Sequence, residues 1–109
     1  MQTPSIGRIV HYRLTQRDVD SINQREHRAG ERRDGNTVSV GEVVPLIVTK
    51  VWLEEYAGGA YLAHHEPGTK YESPFGVNGQ ATLDGNDTLW VTSAPQGDLD
   101  GCWNWPPRA

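Results

Sequence analysis

The sequence predicts a mainly β fold: a small antiparallel SH3-like barrel or β-roll with one short surface helix near the N-terminus. Three observations carry this. Apolar and polar residues alternate over "SIGRIVHYRL", the two-residue period of a half-buried strand. The most apolar stretch, "VVPLIVTKVWL", is of strand length and rich in β-branched residues. Only the segment after Thr15 leaves this pattern for a long polar run without proline. The tally is five or six short strands, fewer than the seven of a sandwich of this size.

The elements follow in order. Ile6, Arg8, Val10, Tyr12 and Leu14 fall on one face of the first strand, with Ile9, His11 and Arg13 on the other. Gly7 marks its start or a bulge. Thr15 is the expected N-cap of a helix near 16–28, with Asp18 three residues on completing a capping box. Val19 and Ile22 form its thin apolar stripe, with Leu14 as a staple. Asp18 and Asp20 suit the positive end of the helix dipole, and Arg25 and Arg28 the negative end. Gly30 is the expected C′ residue, and 34–36 a turn.

The next strand carries Val44, Leu46, Val48 and Trp52 on one face and Val43, Ile47, Val51 and Leu53 on the other. It is therefore expected to be central and covered on both sides. Pro45 cannot donate to a ladder and belongs at the strand's start or at a bulge. Gly58-Gly59 reads as a turn into a strand over 60–65, followed by a long irregular segment over 66–79. "QATLDGNDTLWVTS" reads as a hairpin about Asp84-Gly85. "CWNW" is a last short strand. Trp103 and Trp105 share one of its faces, and Pro106 and Pro107 stop further pairing. That ending closes the barrel, lines a ligand pocket, or does both if one ring is buried and the other sits at a mouth.

The chain of 109 residues is the size of one domain, 1–109, and its formal net charge is −4. An acidic chain is poorly suited to binding nucleic acid, where affinity rests on neutralised phosphates. One or two well-placed arginines still suffice for a small phosphorylated ligand. The single cysteine excludes an intrachain disulfide. "MQTPSIGRIV" lacks a signal-peptide pattern, and no apolar run is long enough to span a bilayer. The expectation is a protein without a membrane partner, in the cytoplasm.

No enzyme signature is found. Cys102 lacks a recognisable nucleophile context. His64 and His65 are adjacent and would point to opposite faces of a strand, so no shared metal is expected. Asp84, Asn86 and Asp87 lack calcium-loop spacing and fit a turn. No cofactor is expected. Binding chemistry is better represented. Arg8 and His11 are polar residues in an apolar strand, and Arg8 can fork onto a phosphate or carboxylate. Tyr12, Trp90, Trp103 and Trp105 offer rings for a base. Asn36, Asn86 and Asp87 can read a base edge or ribose hydroxyls. The alternative is structural: Arg8 pairs with Asp87, Asp98 or Asp100, and the tryptophans are core.

"PSIGRIVHYRLTQRDVDSIN", "GEVVPLIVTKVW", "LDGNDTLWVTS" and "WNWPPR" together resemble a widespread group of small phage and prophage proteins. The group begins with a Gly-Arg-x-Val-His-Tyr strand and ends on Trp-His-Trp-Pro. Position 104, often histidine in the group, is asparagine here, and the segment 53–78 is longer than in the group. The resemblance implies a phage accessory protein and hands over no mechanism. With the aromatic and basic residues above, it sets the expectation of a non-catalytic homo-oligomer in the host cytoplasm that sequesters a small nucleotide-derived ligand, such as a host immune signal. The alternatives are a virion or assembly component acting as a protein-docking module, and an inhibitor of a host enzyme.

Overall fold

The computed structural model describes residues 3–28, 31–32, 37–53, 75–85 and 87–107. The elements are β1 (Ile9–Arg13), α1 (Gln16–Asn23), β2 (Glu26–Arg28), β3 (Glu31–Arg32), β4 (Val43–Leu53), β5 (Phe75–Leu83), β6 (Asp87–Pro95) and β7 (Trp103–Asn104). β6, β5, β4, β1 and β7 form one antiparallel sheet in that spatial order, and β2 pairs with β3 in a small hairpin. The sheet curls into a half-barrel, so the chain is mainly β with one short helix and compatible with the expected small barrel or β-roll. Gly30, the turn at 34–36, Gly58-Gly59, the strand at 60–65 with His64 and His65, and the part of the irregular segment before Phe75 lie outside the described residues.

β1 begins after a turn in which the Arg8 amide donates to the Ser5 carbonyl at 3.1 Å. Gly7 holds φ +88°, a conformation that favours glycine. Ile6 and Arg8 therefore precede the strand and are exposed, while Val10, Tyr12 and Leu14 are buried. Thr15 caps α1 as expected. The Asp18 amide donates to Thr15 Oγ1 at 3.0 Å, and the Thr15 amide donates to Asp18 Oδ2 at 3.0 Å. Val19 and Ile22 are the buried stripe.

The helix ends at Asn23 instead of continuing to 28. The Asn23 amide group grips Val38 from both sides, donating to its carbonyl and accepting from its amide, each at 3.0 Å. Arg25 leaves the helix axis for β6, where it meets Asp87 at 2.9 Å and the Thr88 carbonyl at 2.6 Å. Long-range bonds win over a polar segment with little intrinsic commitment to helix. Arg25 and Arg28 thus both lie beyond the last turn of α1.

β4 is central, between β1 and β5, but only one of its faces is covered. Val44, Leu46 and Val48 are buried, whereas Val43 and Ile47 are 46% and 43% exposed. A single curled sheet has one inner face, so the apolar outer residues remain in contact with water. Pro45 is neither at the start of β4 nor at its bulge. It pairs with His11 on β1, while the β5 ladder begins one residue later, at Leu46. The Val48 amide bonds the Arg8 carbonyl and the Leu14 amide the Glu42 carbonyl. In the intervening alternation Pro45 lies opposite His11 at a non-bonded pair. Its missing N–H falls on the side where β5 has ended.

Two bulges bend the sheet at one level. On β4 the register slips between Val48 and Lys50, and against β6 it slips between Val77 and Gly79 of β5. The first bulge reverses the strand's parity. Val51 packs against the core after Val48, and Trp52 turns to the face where the Lys50 ammonium lies 4.4 Å from its ring centroid. The expected grouping of Trp52 with Val44 is thereby undone. In the second bulge Ser93 takes φ +53°, and its amide donates to Asn78 Oδ1 at 2.7 Å. The hairpin about Asp84-Gly85 is present, with Gly85 at φ +89°. β5 begins at Phe75, inside the segment read from sequence as irregular.

β7 is only two residues long, yet it anchors the end of the chain. Trp103 is 0% exposed, and its indole N–H donates to the Phe75 carbonyl at 3.2 Å. β7 pairs with β1 through Tyr12–Trp103 and His11–Asn104. On its other side Trp103 makes an isolated parallel bridge to Gln96, just past β6, and the Gly97 amide donates to the Trp103 carbonyl at 3.0 Å. The two sheet edges therefore meet at one point.

Candidate functional site

The meeting of the first and last strands builds two clefts on either side of β1. Strand alternation sorts the residues. His11, Arg13, Val43, Cys102 and Asn104 line one groove of about 300 Å³, with Gly97, Asp98, Trp105 and Pro107. Tyr12, Asp18, Asp100 and Gly101 line the other, of about 540 Å³, with residues of β6. The Arg13–Asp100 ion pair, 3.4 Å, stands between them.

The first groove brings together part of the expected site. Trp105 is half-buried, with its ring edge-on to Trp103 at a centroid distance of 5.3 Å and an interplanar angle of 85°. The Arg8 guanidinium lies 5.2 Å from the Trp105 ring centroid, a cation–π contact that orients both groups. His11 is half-exposed beside it. Asn104 frames the groove: its Oδ1 accepts from Gln96 Nε2 at 3.1 Å and from the Trp105 amide at 2.9 Å, and its Nδ2 donates to Asp98 Oδ1 at 2.9 Å. Cys102 is buried in the groove wall.

Other expected site residues go elsewhere. Tyr12 and Trp103 are core, so neither ring is open to a base; the pairing that joins the chain ends buries both. Asp87 is bound by Arg25, not by Arg8. Trp90 is 54% exposed on β6 and rims the second cleft. Asn36 and Asn86 lie outside the described residues. Arg13 and Asp98 were missed. Arg13 shares the outer face of β1 with His11, two residues away, and that spacing was its available signal. Asp98 has no signal before the loop at 96–101 is folded against β7. Among the described residues no group of three or more His, Cys, Asp or Glu could hold a metal ion, and no helix is long and apolar enough to cross a membrane.

Tyr12 carries a testable electrostatic feature. Its hydroxyl donates to Asp18 Oδ2 at 2.6 Å. Burial pushes its phenol well above the ordinary value of about 10, and the hydrogen bond and the carboxylate charge of Asp18 push it further. The folded state holds this proton more tightly than the unfolded chain. The resulting stability is complete below about pH 10 and falls above it, by up to about 1.4 kcal/mol per pH unit, as the unfolded chain deprotonates. Tyr12→Phe is expected to cost about 1.5–3 kcal/mol at neutral pH and to flatten this alkaline limb. Urea melts from neutral pH to pH 11 measure both. An unchanged limb in the variant would assign the alkaline loss to other groups.

No protein-family model, curated protein or solved structure matches the chain.

Proposed function

We propose that the chain is a non-catalytic accessory protein, of the phage kind that its motifs resemble, which binds and sequesters a small nucleotide-derived anion in the host cytoplasm. The observation that supports this best is the grouping of Trp105, braced by Arg8, with His11 and Arg13 on one groove. The indole offers a base a stacking surface. The guanidinium and imidazole donate to phosphate oxygens. The Asp98 carboxylate accepts from ribose hydroxyls or an exocyclic amine. The role first expected of Tyr12 and Trp103 passes to Trp105 alone, and Arg13 joins His11 as a phosphate partner.

A second reading, docking to a partner protein or to a second copy, draws on a different observation. Ile9 and Ile47 are cross-strand neighbours on the outer face, and both are exposed, as is Val43. Apolar groups left in water in this way are a common mark of association.

One set of measurements separates the readings. Calorimetry and melting curves are run against cyclic nucleotides and ADP-ribose derivatives, with sedimentation in the same buffers. At least one of these ligands is expected to raise the melting temperature. His11→Ala should weaken its binding by about 1.5–3 kcal/mol with the fold intact. Trp105→Ala should remove about 1–3 kcal/mol of stacking. If no nucleotide shifts the melting curve and a pull-down recovers a virion protein, the docking reading replaces the first.

A further inference from the structure

The second cleft is a separate opening, with a different character. β6 and β7 are the two edges of the sheet, and among the described residues their backbones meet at the Gln96–Trp103 bridge and the adjoining Gly97–Trp103 bond. Among the described residues a cleft of about 540 Å³ lies between β6 and the residues that flank β1 and β7. The mouth of a barrel is a common ligand position.

Its lining selects the ligand. Trp90, a residue 54% exposed, stands at the rim, and its indole is a flat apolar surface with a polar N–H. Thr92 and Ser93 bring hydroxyls from the β6 bulge, where Ser93 sits at φ +53°. Serine in the left-handed region is strained, and the Asn78 side chain holds it there. The cleft's own lining holds two carboxylates, Asp18 and Asp100, and one guanidinium, that of Arg17. Two carboxylates against one cation disfavour a phosphate, the reverse of the first groove. The bonds these carboxylates make use Oδ2 of Asp18 and Oδ1 of Asp100, so each retains a second oxygen that can accept. A cationic ligand would want several ring faces around it and no guanidinium nearby. Acceptors and hydroxyls beside a single flat ring fit a neutral polyhydroxylated molecule, whose C–H face lies on the indole while its hydroxyls donate to the carboxylates.

We propose that this cleft is a saccharide-binding site, with Trp90 as the stacking platform, Asp18, Asp100 and Ser93 as hydroxyl partners, and Arg17 as a donor. It is independent of the nucleotide reading, because it lies on the opposite side of the Arg13–Asp100 pair.

The test titrates the full chain with glucose, galactose, N-acetylglucosamine and their short oligomers, followed by tryptophan fluorescence and calorimetry. Saturable binding of at least one sugar is expected. Trp90→Ala, at an exposed position, should weaken it about ten-fold, the loss of one good ring contact. Ser93→Gly removes the hydroxyl and relieves the backbone. It should weaken binding several-fold while the melting temperature stays level or rises. Arg8→Ala should leave sugar binding unchanged, and a nucleotide should not displace the sugar. No binding by any sugar at millimolar concentration would overturn the proposal. So would equal affinity in Trp90→Ala, or displacement of the sugar by a nucleotide.

Discussion

Gly79→Ala is expected to destabilise the protein by about 3 kcal/mol or more, at the upper end for an overpacked position. Gly79 pairs with Val48 on one side and Val91 on the other, at the level where both bulges fall. A Cβ there would meet the Ile47 carbonyl oxygen at less than contact distance and stand 2.9 Å from Leu46 Cδ2. The side chain of Leu46 can yield a little. The Ile47 carbonyl belongs to the backbone of β4 and cannot move without disturbing the ladder to β5. Against a total stability of about 5–15 kcal/mol for a domain of this size, the loss is large. The denaturant midpoint measures it. A shift of less than about 0.5 kcal/mol, the usual range of surface substitutions, would contradict this close approach of β5 to β4.

Trp103→Ala is expected to cost about 3–5 kcal/mol, the range for removing a buried aromatic ring. The change also removes the indole bond to the Phe75 carbonyl and the ring contact with Trp105. Its consequence is local as well as global. β7 has two residues, and the Gly97 amide bonds to the Trp103 carbonyl. Once the ring no longer holds the strand, the seam between the sheet edges at Gln96, Gly97 and Trp103 should open. Hydrogen exchange should show the Gly97 amide losing more protection than amides within β4 and β5. Trp103→Phe keeps part of the packing without the N–H, and it should sit between wild type and alanine in both stability and protection. Equal protection at Gly97 in all three proteins would show that the seam does not depend on Trp103.

Local chemistry was readable in the sequence where it involves near neighbours. The alternation around Val10, Tyr12 and Leu14 located the inner face of β1. Thr15 and Asp18, three residues apart, announced the capping box, and Asp84-Gly85 announced the hairpin. The two terminal tryptophans announced either a closing strand or a pocket wall, and left open which ring would be buried. That Arg8, His11 and Trp105, each chosen for its own chemistry, would lie near one another was legible only so far as the two chain ends were expected to meet.

The rest was decided between residues far apart in the chain. The helix stops at Asn23 because that side chain finds Val38, 15 residues later. Trp52 faces away from Val44 because a bulge inserts one residue, and in a structure of period two one residue exchanges the faces. Val43 and Ile47 stay exposed because the chain builds one curled sheet and not two stacked ones. Tyr12 and Trp103 became core because β7 pairs with β1, while Arg13 and Asp98 entered the groove through the same pairing. Periodicity and capping are encoded within a few residues and so can be read from them. Which face is covered, and which side chains share a cleft, depend on strand register, which only the folded sheet determines.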